Sequence, residues 1–230
     1  MKSILKVEEH SVHLWQACVP ELLSQIPAFS VLLDENEIAR AKRFHFDEHR
    51  QRYIVAHAVL RKILSLYTAI SPEKMEFVLG PRGKPYLKEN KWDLQFNVSH
   101  SHDRIVYALT HHVEVGVDIE KIEPHFDEGV AKRFFSAKEY AELMTLPEEK
   151  KISAFYRLWA GREAVIKALG EGLYAPLADF SLDLSQEAQT IKLMDDHYHL
   201  EYFFVDAGYQ AAFATSQTVQ KVIYQPPFIK

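Results

Sequence analysis

Cysteine is almost absent from this sequence. Cys18 is the only one among 230 residues, so no intrachain disulfide can form and a zinc site built on several thiolates is excluded. Long apolar runs are also missing: the longest covers residues 105–109, far fewer than the ~18 residues that a membrane-spanning helix needs. The N-terminal residues lack the apolar stretch of a signal peptide. We therefore expect a cytosolic protein that does not contact a membrane.

An excess of positive charge is missing as well. The chain has 27 Lys and Arg against 32 Asp and Glu, a formal net charge of −5. Proteins that coat nucleic acids are usually basic, so we expect no nucleic-acid partner. With 47% hydrophobic and 26% charged side chains, the composition is that of an ordinary folded protein, which excludes disorder as a general description.

The predicted elements repeat in the two halves of the chain. Apolar residues recur at helical spacing from residue 47 to about residue 68, and strand-like runs separated by turn signals follow between residues 76 and 119. A second long helix is predicted after Pro147, and further strands extend to residue 215. We therefore expect an α+β fold of two similar lobes, each with a small antiparallel sheet packed on a long helix. We place the N-terminal lobe at residues 1–111 and the C-terminal lobe at residues 112–230.

The predicted strand at residues 115–120 contains two carboxylates. Because strand side chains alternate between faces, Asp118 and Glu120 share one face, with Gly116 beside them. Two like charges raise each other's pKa unless a cation lies between them, and carboxylate oxygens suit Mg²⁺ better than a soft metal. Taken alone, the segment is more typical of a solvated strand face, which is the common case in antiparallel sheets.

The second long helix places an aromatic, an acid and a base on one face. Trp159, Glu163 and Lys167 are spaced i, i+4 and i+8. A phosphate-bound Mg²⁺ site needs groups of this kind, because Glu163 could ligate the metal or take a proton and Lys167 could neutralise phosphate oxygens. The alternative is an ordinary salt bridge within a helix, which contributes about 0.2 to 0.5 kcal/mol to helix stability.

Two turns offer groups that could bind an anion. The strand at residues 94–98 runs into a polar turn, where the Ser99 hydroxyl and the His100 imidazole are available. Lys84 lies in a turn that superficially resembles a phosphate-binding loop, but Pro85 follows it where such a loop needs Ser or Thr and the start of a helix. Lys84 is nevertheless a cation on a rigid turn.

Four motifs together resemble those of the 4′-phosphopantetheinyl transferases. The similarity is to the larger, pseudo-dimeric type that activates peptide and polyketide synthetases, and it covers most of the chain from about residue 40 to residue 180. In chain order the motifs are NVSHS at residues 97–101, GVDIE at 116–120, RFFSAKEY at 133–140 and WAGREAVIKA at 159–168. Each motif is weak alone, but all four occur in the family's order and spacing. One departure is Arg162, where the family usually has Lys, and this change keeps the charge.

The resemblance implies where the substrate and the metal bind. It implies two lobes related by pseudo-two-fold symmetry, with coenzyme A in the cleft between them. The N-terminal lobe would bind coenzyme A, and the C-terminal lobe would contain the metal-binding carboxylates and the catalytic helix. The implied Mg²⁺ ligands are Asp118, Glu120 and Glu163. The implied coenzyme A contacts are Arg52, Lys84, Ser99, His100 and Lys167, with His100 at the 3′-phosphate.

The implied reaction is a Mg²⁺-dependent group transfer. A serine hydroxyl of an apo acyl or peptidyl carrier protein attacks the coenzyme A phosphate attached to pantetheine, which gives holo-carrier and adenosine 3′,5′-bisphosphate. Glu163, directly or through water, accepts the serine proton, and Lys167 stabilises or protonates the leaving phosphate. The expected partners are coenzyme A and a carrier protein or carrier domain, and we expect the enzyme to be a monomer.

Two other functions compete with this one. A non-catalytic module that binds carrier proteins or coenzyme A is the first, although the acid trio together with Lys167 argues against it. A zinc hydrolase is suggested by His45 and His49 among twelve histidines. The HExxH order that such an enzyme needs is absent, because Glu48 directly precedes the second histidine.

Aromatic side chains follow the acidic strand. Phe134, Phe135 and Tyr140 lie ahead of the second long helix, next to a capping box formed by Ser136 and Glu139. Carrier domains are generally acidic, so a negatively charged enzyme favours docking through apolar contacts beside a local basic patch. The two phenylalanines therefore either anchor the carrier or belong to the core.

Overall fold

The fold consists of four layers: a long helix, two sheets and a second long helix. The computed structural model describes residues 4–170 and 180–228. Its strands are β1 (Ser11–Cys18), β2 (Phe77–Leu79), β3 (Pro85–Leu87), β4 (Leu94–Ser101), β5 (Arg104–His111), β6 (Val115–Lys121), β7 (Ala188–Leu193), β8 (Asp196–Tyr202), β9 (Tyr209–Thr215) and β10 (Lys221–Tyr224).

The two longest helices are those that the sequence periodicity predicts. The helices are α1 (Val19–Leu22), α2 (Ile26–Ser30), α3 (Glu35–Lys42), α4 (Asp47–Tyr67), α5 (Glu128–Phe134), α6 (Ala137–Thr145) and α7 (Glu148–Leu169), with short 3-10 turns at Leu23–Gln25 and Pro72–Lys74. α4 has 21 residues and α7 has 22. Within the described ranges, no helix combines the length and the apolarity needed to cross a bilayer.

The first lobe packs one face of a four-stranded sheet on α4. The sheet has the order β10-β1-β5-β4, and β5 pairs antiparallel with both β1 and β4. Val59 and Ile63 of α4 are fully buried in one apolar cluster with Ile105 of β5. The Tyr107 hydroxyl of β5 donates to the Ala56 carbonyl of α4 at 3.1 Å, which adds a polar contact between the helix and the sheet.

The outer strand of this sheet comes from the far end of the chain. β10 pairs parallel with β1, from Ser11 opposite Lys221 to Leu14 opposite Tyr224. This edge differs from the antiparallel sheet that we expected, because the partner of a short strand is decided by tertiary packing and not by its own residues. The lobe boundary after residue 111 stays a prediction. β10 comes after this boundary in the sequence, but it belongs to the sheet of the first lobe.

The second lobe repeats the arrangement with α7. Its sheet has the order β6-β9-β8-β7, and every neighbouring pair is antiparallel. Val165 and Ala168 of α7 pack with Leu200 of β8 in the core of this lobe. α7 ends at Gly170, whose φ of 78° lies in the left-handed region that favours glycine. The predicted α+β class, with two similar lobes, is confirmed.

The two sheets pack against each other through their inner faces. Val106 and Ala108 of β5 share one buried apolar cluster with Val117 of β6 and Phe213 of β9. α4 therefore covers the outer face of the first sheet, and α7 covers the outer face of the second. This stacking brings β4 and β6, one edge strand from each sheet, together at the junction of the lobes.

Candidate active site

The site lies where β4 of the first lobe runs beside β6 of the second. The Ser99 hydroxyl on β4 donates to Oδ1 of Asp118 on β6 at 2.8 Å. From α7, the Lys167 ammonium donates to the same oxygen at 2.5 Å and to Ser99 Oγ at 3.0 Å. Three residues from three separate sequence motifs therefore meet at the junction of the two lobes.

Asp118 is buried, and only one of its two carboxylate oxygens accepts hydrogen bonds from described residues. The residue is 3% exposed. Its Oδ1 accepts both hydrogen bonds described above, but its Oδ2 is buried without a hydrogen-bond partner among the described residues. Leaving a buried charged oxygen without a donor costs on the order of 1 to 3 kcal/mol or more. Oδ2 is therefore a site at which a bound cation would stabilise the protein.

Gly116 explains how α7 comes close enough to reach the acidic strand. A Cβ atom at residue 116 would overlap the Ala164 carbonyl oxygen and the Ala168 amide nitrogen of α7. Only glycine lets the helix backbone cross β6 at this distance. Gly116 also shares a strand face with Asp118 and Glu120, so the helix face that crosses there lies over both carboxylates.

Glu120 and Glu163 lie close enough to Asp118 for their charges to interact. Burial, and next the negative charge of Asp118, raise the pKa of Glu120 to about 7. Burial also raises the pKa of Glu163, while the nearby Lys167 ammonium acts in the opposite direction. The Ser101 hydroxyl on β4 donates to Oε2 of Glu120 at 3.4 Å. The Lys167 ammonium thus contacts Asp118 and interacts electrostatically with Glu120 and Glu163.

The three carboxylates have the chemistry that a hard cation prefers, but they do not converge on one point. Within residues 4–170 and 180–228, no three His, Cys, Asp or Glu side chains already converge as a metal-binding group. The Asp118 carboxylate pairs instead with the Lys167 ammonium. The oxygen-only donors, the unpartnered Asp118 Oδ2 and the raised pKa of Glu120 are all features that a divalent cation would satisfy.

Two of the residues predicted to bind coenzyme A are neighbours on the α4 side of β4. His100 alternates with Ser99, so it faces α4, and the residue is exposed. Burial, and next the positive charge of Arg52 on α4, lower the pKa of His100. The two residues are therefore close enough for their charges to interact, and their predicted contact with coenzyme A stays a prediction. Ser99 lies on the other face of β4, beside Lys167.

Lys84 is engaged by the protein itself. The residue is 9% exposed, and its ammonium donates to Oε2 of Glu114 at 2.6 Å and to the carbonyls of Val115 at 3.0 Å and Ala168 at 3.4 Å. It therefore connects the turn between β2 and β3 to β6 and to the end of α7. A cavity of about 220 Å³ lies beside it and beside Lys167. The predicted contact of Lys84 with coenzyme A stays a prediction.

Comparison with known proteins identifies the family. A family model of the 4′-phosphopantetheinyl transferase superfamily matches residues 114–214, and a model of the N-terminal part of 4′-phosphopantetheinyl transferases matches residues 14–112. The 4′-phosphopantetheinyl transferase HetI of Nostoc sp. is 38% identical over 177 residues, which cover 76% of this chain and 74% of the relative. The chain belongs to the 4′-phosphopantetheinyl transferase superfamily.

Other relatives agree with this assignment. The 4′-phosphopantetheinyl transferase psf-1 of Bacillus pumilus is 33% identical over 194 residues, 83% of this chain and 82% of the relative. The 4′-phosphopantetheinyl transferase Sfp of Bacillus subtilis is 32% identical over 187 residues, 80% of this chain and 82% of the relative. The family and the enzyme class that the four motifs predicted are confirmed.

The aromatic residues of this transferase divide between the core and the surface. Phe135 is 4% exposed and packs with Phe155 and Trp159, so it belongs to the core. Phe134 is half-buried, with its ring edge-on to Trp159 and the Arg133 guanidinium 5.0 Å from its centroid. Of the two phenylalanines, only Phe134 is therefore partly accessible, and Tyr140, the third predicted anchor, is half-buried.

Sequence reasoning missed two residues that hold the transferase's acidic strand in place. Asn97 Oδ1 accepts the backbone N–H of Val117 at 3.0 Å, and Ser101 Oγ accepts the backbone N–H of Lys121 at 3.1 Å. The signal that could have found them is their spacing. Asn97 comes two residues before Ser99 and Ser101 comes two residues after it. Because strand side chains alternate, all three share one face of β4.

Proposed function

We propose that the protein transfers the 4′-phosphopantetheine group of coenzyme A, with Mg²⁺, to a serine of an apo acyl carrier protein or carrier domain. The products are the holo-carrier and adenosine 3′,5′-bisphosphate. The observation that supports this most directly is the convergence of Ser99, Asp118 and Lys167 where the two lobes meet. Both lobes contribute within one chain, so the proposal requires only a monomer.

Asp118, Glu120 and Glu163 are the proposed Mg²⁺ ligands. The unpartnered Oδ2 of Asp118 and the mutual interaction of the three acidic groups support them. When bound, Mg²⁺ supplies neutralisation of the coenzyme A pyrophosphate, whose charge would otherwise repel these carboxylates. In the chain itself, the Asp118–Lys167 ion pair joins the acidic strand to α7 and keeps the carboxylates and the ammonium in one charged cluster.

Glu163 is the proposed proton acceptor. In the reaction the serine Oγ forms a bond to the phosphate attached to pantetheine, and the bond from that phosphorus to the oxygen bridging the pyrophosphate breaks. The serine proton passes to Glu163, directly or through water. Burial raises the pKa of Glu163, and a base of raised pKa accepts a proton more readily near neutral pH.

Lys167 is proposed to stabilise the leaving phosphate. Its ammonium is already at the site, half-buried and held by Ser99 and Asp118. Phosphoryl transfer is catalysed mainly by positioning and by charge neutralisation, so a fixed ammonium at the departing oxygen lowers the barrier. Loss of one such group typically costs about 10² to 10³ in rate.

The proposed coenzyme A contacts form two groups. Arg52 and His100 lie together on the α4 side of β4, where they would bind the 3′-phosphate. Ser99 and Lys167 lie at the carboxylates, where they would meet the pyrophosphate. Lys84 would contact coenzyme A only by giving up at least one of its acceptors, since three protein oxygens surround its ammonium.

The deciding experiment is mass spectrometry of several apo-carriers incubated with the protein, coenzyme A and Mg²⁺. We expect a mass gain of one phosphopantetheine group on a serine, together with an equal amount of adenosine 3′,5′-bisphosphate detected by chromatography. A chelator added to the same mixture should abolish both. Binding of coenzyme A or of a carrier without either product would instead show the non-catalytic binding module.

A further inference from the structure

The two strands at the junction of the lobes are joined by side chains. β4 is the edge strand of the first sheet and β6 is the edge strand of the second, and the two belong to different sheets. Asn97 Oδ1 accepts the N–H of Val117 at 3.0 Å, and Ser101 Oγ accepts the N–H of Lys121 at 3.1 Å. Side-chain oxygens of β4 thus take the place of the carbonyl acceptors that a paired strand would offer.

These contacts set one register between the strands. Both donor–acceptor pairs join residues that are 20 positions apart, so β4 and β6 run parallel without slippage. Asn97, Ser99 and Ser101 alternate along β4 and share one face. The outer two of them bind the backbone of β6, and the middle one binds the Asp118 carboxylate.

The anchored amides bracket the acidic residues. Val117 directly precedes Asp118, and Lys121 directly follows Glu120. The Ser101 hydroxyl, while it accepts from the Lys121 N–H, also donates to Oε2 of Glu120 at 3.4 Å. The position of both carboxylates relative to Ser99 is therefore tied to two short side chains of the other lobe.

We infer that Asn97 and Ser101 are positioning residues that fix the acidic segment of β6 against the first lobe. They act through Asp118 and Glu120 and need not touch the substrate themselves. The catalytic consequence rests on the proposed function, because it concerns the residues to which that proposal gives roles. A displacement of about 1 Å in a catalytic constellation can cost up to about 10² in rate.

The direct test is amide hydrogen exchange of metal-free protein, followed by NMR spectroscopy. In Asn97→Leu, exchange at the Val117 amide should accelerate by at least about tenfold, and in Ser101→Ala the same should occur at Lys121. Ser101→Thr keeps the hydroxyl and should restore protection at Lys121. Unchanged exchange at both amides in the first two variants would overturn the inference, whatever the protein's activity.

The functional test compares Ser101→Ala with a matched loss of another hydroxyl. Like Ser101, Thr68 donates one hydrogen bond and accepts one backbone N–H. Its hydroxyl donates to the Leu64 carbonyl and accepts the N–H of Ile70, but it lies at the end of α4. Ser101→Ala should lower kcat for transfer by about 10- to 100-fold with KM for coenzyme A nearly unchanged. Thr68→Val should lower the melting temperature without this change in kcat, and Ser101→Thr should recover kcat.

Two outcomes separate this inference from the proposed function. If Ser101→Ala keeps the wild-type kcat, Ser101 is structural and the positioning role is wrong. If the wild-type protein transfers no phosphopantetheine to any apo-carrier, the proposed function fails, and the exchange experiment still decides whether Asn97 and Ser101 hold β6.

Discussion

The Lys167 ammonium lies 2.5 Å from Oδ1 of Asp118, although the two residues are 49 positions apart. The contact exists because α7 crosses β6 at Gly116 with no side chain between them. Asp118 is buried while Lys167 is half-buried, so the pair has little water to screen it. One Asp118 oxygen is thus satisfied by the ammonium, and the other is left for a further cation.

Asp118→Asn tests the metal site. The amide keeps the shape and can still accept from the Ser99 hydroxyl, but it removes the negative charge. We expect transfer to be lost at any Mg²⁺ concentration. We also expect the rise in melting temperature that Mg²⁺ gives the wild-type protein to disappear, because binding to the folded state alone causes that rise. Thermal unfolding with and without Mg²⁺ measures this independently of activity.

Asp206→Asn is the matched control for Asp118→Asn. Asp206 also pairs with a cation, Arg104, but it lies away from the acidic cluster and its side chain is 40% exposed. This variant should keep both transfer and the Mg²⁺-dependent rise in melting temperature. A wild-type response to Mg²⁺ in Asp118→Asn would rule out Asp118 as a ligand.

His100→Ala tests the 3′-phosphate contact. If His100 and Arg52 bind this group, the variant should raise KM for coenzyme A by about tenfold, the effect of losing one contact worth about 1.4 kcal/mol. KM for dephospho-coenzyme A should barely change, since that molecule lacks the group. Steady-state kinetics with both donors provide the measurement. Equal losses for the two donors would mean that His100 only packs against α4.

Gly116→Ala tests the helix crossing. The added methyl group would overlap backbone atoms of Ala164 and Ala168, which cannot rotate away. We expect a loss of about 1 to 3 kcal/mol or more in the free energy of unfolding, together with a large loss of transfer as α7 moves from β6. In Gly129→Ala, the nearest obstacle is the Asp127 side chain, so that variant should remain active.

The sequence was sufficient where the pattern is local. Strand alternation predicts that Asp118 and Glu120 share a face, and helical spacing predicts that Glu163 and Lys167 share another. Both periods are properties of the backbone and survive any tertiary arrangement. The position of Phe135 inside the core was beyond this reasoning, because adjacent aromatic residues at a helix start do not reveal which of them faces inward.

Contacts between distant segments were not predictable in the same way. Nothing near Lys84 indicates that its ammonium would be buried against Glu114 and the end of α7, since the acceptors come from two other elements. Likewise, the sequence predicted no strand beyond residue 215, and only packing shows that residues 221–224 form a strand that joins β1. The sequence predicted a cation on a rigid turn at Lys84, and the fold places its ammonium against acceptors of the other lobe.

His13 predicts a pH dependence of stability. Its Nδ1 is within 2.8 Å of the Tyr67 hydroxyl, its Nε2 is buried without a partner in the described structure, and burial lowers the pKa of His13 from its ordinary value of 6.5. Below pH 6.5 the unfolded chain therefore binds a proton at this residue more readily than the folded one. Stability should fall with decreasing pH, by up to about 1.4 kcal/mol per pH unit from this residue.

Urea unfolding between pH 7 and pH 5, a range spanning the ordinary histidine pKa, measures the effect of His13. His13→Gln should show a shallower loss of stability than the wild-type protein as the pH falls. His197→Gln removes an exposed histidine on β8 and should follow the wild-type slope. Parallel slopes for wild type and His13→Gln would show that His13 is protonated equally in both states.

Phe134 and Phe135 separate carrier docking from core packing. Phe135 is buried against Phe155 and Trp159, so Phe135→Ala should lower the free energy of unfolding by about 3 to 5 kcal/mol. Phe134 is half-buried, and its ring lies beside the Arg133 guanidinium. An accessible aromatic ring next to a positive charge suits an acidic carrier. Phe134→Ala should therefore raise KM for the carrier by about tenfold, with KM for coenzyme A and the melting temperature nearly unchanged. If Phe134→Ala only lowers the melting temperature, the Phe134 ring serves to pack against Trp159, and the carrier docks elsewhere.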